Sequence, residues 1–512
     1  MNRITRILAF TAVLGVLGGC TKNFEKYNTD PYAVKSSDPS ILIPTMMDAL
    51  MYVQQNDSQM IDQMVGSLGG YFTLSNRWGG QNFDTFNASD SWDAIPYETV
   101  FLDIYANYFE IEKYTSGSGH YYAMANLLRA AAMMRVADCY GPIPYSQVTD
   151  GQMYVAYDSN EDVYKNIIAD LKGAASVLAA YASEYPDKKP LAAQDAVYGG
   201  DYAKWAKLAN SYIMRAAMRS GDKEAFISAY ESPFGYISAN ADNAMMDPRS
   251  QPNPYQLASA SWGDLRSGSS IVDYMNGYED PRRSAYFTVS SKGGYVGMRS
   301  GKGSFEKASV SGYSMCAFSS TDPLPVFVAA ESQFLLAEAA LKGWISGNPG
   351  DFYRQGIRLS MSQWGVGGTG TGTGGSPVDT YINDDTRIPA SYTSDPVANF
   401  PNYSRKSNVT VAWSDAASEE VKLEKIITQK WIANYPMGIE AWTEFRRTGY
   451  PELAPVIDNL SNGVITDDAR GLRRLRYSFN EKTLNKANYE AALSLLGGVD
   501  NESVDLFWAK KK

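Results

Sequence analysis

Apolar residues recur every three or four positions through much of the chain, which is the spacing of helices with one buried face. Between 97 and 114 these positions are Val100, Phe101, Ile104, Tyr105, Tyr108 and Phe109. The same periodicity predicts helices over 121–141, 162–181, 201–221, 329–344, 352–365, 421–435 and 438–449. Glycines at 141 and 221 are typical helix stops.

The predicted helices follow one another in pairs, and their apolar faces are rich in alanine. Small side chains allow two helices to approach each other closely. These features indicate a mostly α protein with a tetratricopeptide-like helix-pair scaffold, although the chain shows no strict repeat period.

Two long stretches lack helical periodicity. Residues 231–325 are rich in Ser, Asn, Gly and Pro, and the segments 294–303 and 308–318 have the composition of turns and short strands. Residues 365–414 are similarly irregular. We expect one domain over 40–512 with few short strands and a long irregular insertion at about 231–325. Loops of this length are often functional.

The N-terminus has the pattern of an export signal. Two arginines precede an apolar run over 7–17, which is shorter than the roughly 20 residues that span a bilayer. The run ends in LGGC, which resembles a bacterial lipobox, so residues 1–19 are predicted to be a lipoprotein signal peptide and Cys20 the lipidated residue. An ordinary secretory signal is the alternative. Residues 20–39 would form an extended lead from the lipid anchor.

Lipidation would provide a durable membrane anchor. Each buried methylene of an acyl chain such as palmitate contributes about 0.8 kcal/mol, so several chains together hold a protein at a membrane.

The charge of the chain disfavours nucleic acid as a partner. The formal net charge is −10, and it becomes −12 once the two arginines of the signal are removed. Such a balance repels phosphate backbones. Aromatic residues are abundant, with 36 Tyr and 10 Trp, which suit either a wet binding surface or a large helical core.

Catalytic and metal-binding groups are sparse. His120 is the only histidine, so multi-histidine metal sites are excluded, and we interpret it as an exposed linker residue. Glycines within 370–375 have dinucleotide-type spacing, but no helical pattern follows, so we interpret them as a flexible loop. Cys139 and Cys316 either pair or remain buried thiols. No cofactor is predicted.

Carboxylate pairs that could serve glycoside hydrolysis also have a simpler interpretation. Glu331 shares a helix face with Glu338, and Glu440 shares one with Glu444. Glycosidases use two acids at short separation, but a chain with 56 acidic residues always offers such pairs. We interpret these glutamates as ion-paired helix surfaces.

The stretch RWGGQNFDTFNASDSW, residues 77–92, sets four large rings among amides and carboxylates. Sugar rings have apolar C–H faces and polar edges, so this combination suits saccharide binding. The insertion adds further rings in a similar setting. The candidate ligand residues are Arg77, Trp78, Asn82, Phe83 and Trp92 from the first stretch and Tyr255, Trp262 and Tyr295 from the insertion. Phe86 is interpreted as a packing residue, and for any single ring the alternative is that it pins a loop to the body.

Ordered motifs extend over nearly the whole mature chain. They are NFEKYNTDPY after the lipobox cysteine, DCYGPIPYS at 138–146, VYKNIIADL at 163–171, YGGDYAKWAKLANSYIMRAAMR at 198–219, EDPRRSAYF at 279–287, AESQFLLAEAALKG at 330–343, YRQGIRLSM at 353–361, KWIANYPMGIEAWTEFRRTGYP at 430–451 and RRLRYSFNE at 473–481. Together they resemble the SusD/RagB-like outer-membrane nutrient-binding lipoproteins, in particular the SusD-like branch with KWAKLANS and EAWTEFRRTGYP.

The resemblance implies four tetratricopeptide-like helix pairs and a ligand face built from irregular segments. It implies a lipid-anchored protein on the exterior of the outer membrane that caps a SusC-like TonB-dependent transporter. Such proteins bind oligosaccharides, or peptides in RagB-like cases, without acting on them chemically. The family's ligand rings correspond here to the regions 78–92 and 255–295.

The leading hypothesis is a non-enzymatic glycan-binding lipoprotein that delivers nutrient to such a transporter. The alternatives are a RagB-like peptide-binding lipoprotein, a surface glycoside hydrolase with a carboxylate pair, and a helical scaffold that only assembles other proteins.

Overall fold

The structure is a computed structural model that describes residues 38–367 and 376–510. The predicted signal peptide, Cys20, nearly all of the predicted lead and the glycine run at 370–375 lie outside the described residues.

Helices dominate the described ranges. The α-helices are α1 (Pro39–Asp48), α2 (Gln55–Asp57), α3 (Asp90–Thr115), α4 (Gly119–Tyr140), α5 (Asn160–Glu184), α6 (Tyr202–Ser220), α7 (Lys223–Tyr230), α8 (Pro254–Gln256), α9 (Ser269–Gly277), α10 (Arg283–Tyr286), α11 (Ala329–Leu341), α12 (Pro349–Gln363), α13 (Pro377–Ile382), α14 (Glu419–Ala433), α15 (Gly438–Thr448), α16 (Phe479–Thr483) and α17 (Lys486–Leu493). All helices predicted from apolar periodicity are confirmed. Two π-helical turns, Ser58–Gln63 and Leu257–Trp262, and short 3₁₀ turns lie between them.

Long helices pack as consecutive pairs, which gives the predicted tetratricopeptide-like scaffold. Helices α3 and α4, α5 and α6, and α11 and α12 form such pairs, and α14 packs against α11. Alanines on α4 are fully buried, so adjacent helices approach closely. Helix α3 begins earlier than its apolar pattern indicates, because the Ser89 side chain caps it by accepting a hydrogen bond from Trp92 N.

A glycine contact fixes α15. The first residue of this helix, Gly438, lies against the 3₁₀ turn Gly66–Gly69. A Cβ on Gly69 would come within 2.4 Å of Gly438 O, so the close approach requires glycine.

The few short strands form two antiparallel ribbons. Strand β1 (Phe72–Leu74) pairs with β3 (Leu265–Ser267), and β2 (Ala244–Met246) pairs with β4 (Leu324–Phe327). In the first ribbon Leu74 pairs with Leu265, so the chain after β1 and the chain before β3 leave the ribbon at the same end.

A buried set of ion pairs, the charge cluster, joins four of the long helices. Its members are Arg215, Arg219, Glu331, Lys430, Glu440 and Glu444. Arg215 Nε and Nη2 donate to the two carboxylate oxygens of Glu331, both at 2.7 Å. Lys430 Nζ lies 3.1 Å from a carboxylate oxygen of Glu444.

The prediction that these glutamates form a helix surface is therefore wrong in one respect. Glu331, Glu338, Glu440 and Glu444 are ion-paired, as expected, but they are buried. The periodicity of one helix shows which residues share a face, whereas burial of that face depends on a helix distant in sequence.

His120 is also not an exposed linker residue. It lies in the first turn of α4, half-buried, with its ring 4.3 Å from that of Tyr181 and its Nδ1 3.1 Å from the Tyr202 hydroxyl. Cys139 and Cys316 are buried free thiols. None of the helices in the described ranges is long and apolar enough to cross a membrane.

Candidate functional site

Two aromatic loops meet at one end of the β1–β3 ribbon. The loop after β1 carries Trp78, and the π-helical turn before β3 ends with Trp262. The ladder continues one step beyond the strands, because Ser75 N donates to Asp264 O at 2.8 Å. The ribbon therefore brings together two segments that are almost two hundred residues apart.

Trp78 has an unusual backbone. Its φ is 35°, and the next two residues also have positive φ, 81° at Gly79 and 95° at Gly80. A left-handed conformation costs a bulky residue on the order of 1–3 kcal/mol, and such strain is most often found at functional sites. Open space surrounds both glycines, so the turn lies at the surface.

Trp78 and Trp92 form an aromatic pair. Their rings meet edge to face with centroids 5.8 Å apart. Phe83 lies beneath, with its ring stacked 6.3 Å from that of Trp92. Both indoles remain half-buried, so each combines a supported face with accessible surface.

Asp264 ties the two loops together. Its carboxylate accepts hydrogen bonds from Asn76 Nδ2 at 3.0 Å and from Gln59 Nε2 at 3.0 Å, and it pairs with Lys307. Lys307 Nζ also donates to Trp262 O at 2.8 Å. Because Asn76 precedes Trp78 by two residues and Asp264 follows Trp262 by two, this carboxylate sets the relative position of both indoles. We call Trp78, Trp92 and Trp262 the tryptophan platform.

Two polar candidates have internal partners. Arg77 donates to Asp84 Oδ1 and to Thr85 Oγ1, both at 2.9 Å. Asn82 is fully buried, and its side chain donates to Asn76 O at 3.1 Å. Asn82 therefore presents no surface to a ligand. Arg77 holds the loop through its two terminal nitrogens, and its role as a ligand donor stays a prediction.

Two aromatic candidates also require correction. Phe83 and Tyr255 are both 0% exposed and present no surface to a ligand. Tyr255 packs against Phe72 of β1 with ring centroids 5.1 Å apart. These rings pin the irregular segments to the body, and Phe86 is buried as well.

Tyr295 packs against residues other than the three indoles. Its ring lies 6.2 Å from that of Phe287 and near the guanidinium of Arg283, and its carbonyl accepts from Asn276. None of these contacts involves Trp78, Trp92 or Trp262, although the Tyr295 side chain is half-buried like the three indoles.

Three residues of the site escaped the sequence analysis: Asn76, Asp264 and Lys307. Each is a common polar residue whose role depends on the pairing of distant strands. The Asn and Asp that closely neighbour Trp78 and Trp262 were the available signal, because such residues favour turns and loop hydrogen bonds.

The buried glutamates are poorly suited to general acid chemistry. Burial alone would raise the pKa of Glu440, but Arg219 and Arg215 hold that pKa below its usual range. Arg447 and Lys430 similarly override burial and keep the pKa of Glu444 well below its usual range. A glycosidase acid requires the opposite shift. The described residues contain no group of three or more His, Cys, Asp or Glu placed to hold a metal ion.

Comparison with known proteins identifies close relatives of this architecture. A profile of the SusD-like family, described as Susd and RagB outer membrane lipoprotein, matches residues 23–509. No significant match was found among curated proteins.

Solved structures resemble the chain over nearly its whole length. A SusD-like protein from Bacteroides thetaiotaomicron VPI-5482 is 36% identical, with a TM-score of 0.87, and the match covers 93% of this chain and 99% of that chain. A SusD homolog from Bacteroides uniformis ATCC 8492 is 36% identical, with a TM-score of 0.83 and coverage of 93% and 100%. A chitin-binding SusD homolog from Flavobacterium johnsoniae is 32% identical, with a TM-score of 0.86 and coverage of 93% and 99%.

Proposed function

Because the chain belongs to the SusD/RagB family of outer-membrane lipoproteins, as its ordered motifs predicted, we propose that it binds oligosaccharides at the cell surface on the tryptophan platform. The observation that carries this proposal is the platform itself. Two of its half-buried indoles, Trp78 and Trp262, lie on loops that Asp264 fastens together, and the third, Trp92, lies in the first turn of α3 against Trp78.

The platform suits saccharides chemically. An indole face packs against the C–H face of a sugar ring, while nearby polar groups bond the hydroxyls. Lys307 borders the platform with its side chain 43% exposed, and Gln81 is exposed in the Trp78 loop. The relative described as chitin-binding supports a glycan rather than a peptide as the ligand class.

The anchor and the transporter complete the proposal. Lipid attached at Cys20 would hold the protein to the outer membrane, facing the exterior, and a SusC-like TonB-dependent transporter would receive the ligand. Weak to moderate affinity suits this hand-off, because tight complexes dissociate slowly. The protein would perform no chemistry on the glycan, since Glu440 and Glu444 are ion-paired and their pKa values are held low.

Calorimetric titration tests the proposal. The mature protein would be titrated with chitotetraose, cellotetraose, maltotetraose and a tetrapeptide, and the Trp262→Ala variant with whichever of them binds. We expect saturable binding of at least one glycan and a loss in Trp262→Ala. Binding of the peptide alone would favour the RagB-like alternative. Release of shorter sugars, abolished by Glu444→Gln in a protein that still folds, would overturn the non-enzymatic assignment.

A further inference from the structure

A second cleft lies between α12, the turn after α13, and α14. Its volume is about 450 Å³. The lining residues used below are Arg354, Asn383, Asn408, Thr410, Trp413 and Lys425. None of them belongs to the tryptophan platform or is hydrogen-bonded to it.

Trp413 provides an oriented ring in this cleft. Its Nε1 donates to Asp415 Oδ1 at 2.9 Å, and its ring lies 5.2 Å from that of Tyr353. Gly350 makes room for the indole, because a Cβ there would approach it to 2.5 Å. The indole is half-buried, as are those of the platform.

Lys425 is a buried cation without a carboxylate partner. The residue is 5% exposed, and its Nζ donates to the Thr410 carbonyl and, at 3.0 Å, to Thr410 Oγ1. Across the described ranges no carboxylate lies within 4.0 Å of this ammonium, whereas Lys430 on the same helix contacts three glutamates. Glu424, the nearest acid in sequence, accepts a hydrogen bond from Ser407 instead.

In the part of the chain that the structure describes, the Lys425 ammonium is hydrogen-bonded only to neutral oxygens, and Glu424 offsets just part of the cost of its burial. An anion in the cleft would therefore find a favourable electrostatic environment. Burial lowers the pKa of Lys425 to about 8, which keeps most of the population charged at neutral pH.

Arg354 adds a second positive charge to the lining, and its ion pair with Asp351 is largely exposed and therefore weak. Asp385 is the one acidic residue among the described lining residues, and Asp351 and Asp415 lie beside it on Arg354 and Trp413. Lys425 is therefore the cation of the cleft that no described carboxylate pairs directly.

We propose that this cleft is a second binding site that takes a saccharide bearing a carboxylate, such as an oligouronate. Trp413 packs against the sugar ring, Lys425 and Arg354 neutralise the carboxylate, and Asn383 and Asn408 bond the hydroxyls. The saccharide class rests on the proposed function, whereas the requirement for an anion rests on Lys425 and Arg354. The cleft would thereby add acidic glycans to those held on the platform.

Three probes separate the chemistry. The mature protein would be titrated calorimetrically with trigalacturonic acid, neutral 1,4-linked galactotriose, and citrate as a carboxylate without a sugar ring. We expect trigalacturonic acid to bind at least roughly tenfold more tightly than either of the others, since hydrogen bonds to charged groups contribute most. We also expect its affinity to fall with added salt.

Matched variants locate the binding. Lys425→Gln and Trp413→Ala should each weaken trigalacturonic acid binding at least roughly tenfold, and Lys425→Arg should retain most of it. Lys486→Gln, at an exposed lysine of α17, and Trp78→Ala, on the platform, should change it little. Circular dichroism and melting curves would confirm that each variant is folded.

The results that would overturn this proposal differ from those that would overturn glycan binding on the tryptophan platform. Absence of trigalacturonic acid binding, equal binding of citrate, or binding unchanged in both Lys425→Gln and Trp413→Ala would each overturn it. Loss of binding in Trp78→Ala would assign the acidic sugar to the platform and also overturn it. If no neutral glycan binds the protein, the proposed function fails, but trigalacturonic acid binding and its loss in Lys425→Gln would still test this cleft.

Discussion

The charge cluster and the tryptophan platform are both held together by polar side chains, but the partners of those side chains and their burial differ. In the cluster, guanidinium and ammonium groups meet carboxylates in full burial, as between Arg219 and Glu440. In the platform, a single carboxylate, Asp264, collects amide and ammonium donors at the edge of solvent and leaves the indoles partly uncovered.

This difference separates scaffold from recognition surface. Buried ion pairs tolerate no loss of a partner, because the remaining charge stays in a medium of low dielectric. They therefore hold α6, α11, α14 and α15 in one arrangement. In the platform, the polar side chains around Asp264 bond one another and leave part of each indole uncovered. The exposed part of each ring can therefore contact a ligand.

The largest expected effect comes from breaking the cluster. Arg219→Met removes the ion-pair partner of Asp138 and the nearest of the three cations around Glu440, and it should lower the free energy of unfolding by about 3–5 kcal/mol. Urea denaturation measures this. The control is Lys165→Met, which breaks an exposed pair with Asp162 and should change stability little. Equal effects of the two substitutions would contradict the scaffold role.

A buried carboxyl outside the cluster should respond to pH. Burial raises the pKa of Asp273 to about 7, and the nearest guanidinium, that of Arg405, lies 3.8 Å away. Between pH about 4 and about 7 the folded protein keeps a proton that the unfolded chain has lost, so the free energy of unfolding falls as pH rises through this window.

Between pH 4.5 and 8, the free energy of unfolding of Asp273→Asn should decrease by on the order of 2 kcal/mol less than that of the unmodified protein. Denaturant unfolding at each pH measures this. Glu440 and Glu444 should not contribute to this decrease in stability with rising pH, because their pKa values are lowered in the folded protein. A pH profile that is identical in Asp273→Asn and the unmodified protein would refute this assignment.

Asp264 should couple stability to ligand binding. Asp264→Ala leaves Gln59, Asn76 and Lys307 without their shared acceptor and should cost about 1–2 kcal/mol of stability. It should also weaken glycan binding, because the two loops lose their common attachment. Asp264→Asn keeps one acceptor oxygen, so its stability and glycan affinity should lie between those of Asp264→Ala and the unmodified protein. Glycan affinity unchanged in a destabilised Asp264→Ala would show that the loops are positioned by other contacts.

Sequence patterns predicted the helices because periodicity is local. They predicted that Glu440 and Glu444 share a helix face, but their burial depends on α6, more than two hundred residues earlier. They grouped Phe83 and Trp78 as equal candidates, since a ring under a loop and a ring on it look alike in sequence. The β1–β3 pairing, which places Trp262 beside the Trp78 loop, has no local signal in three-residue strands.

The most direct test of the central claim is calorimetric titration of a bound glycan against Trp78→Ala, Trp262→Ala and Trp344→Ala. Trp344 is half-buried too, but its ring packs against Phe226 on α7, a helix that carries no residue of the platform. We predict roughly tenfold weaker binding for the two platform variants and unchanged binding for Trp344→Ala, with all three proteins folded. Equal affinities in all three variants would contradict the assignment of the platform as the ligand site.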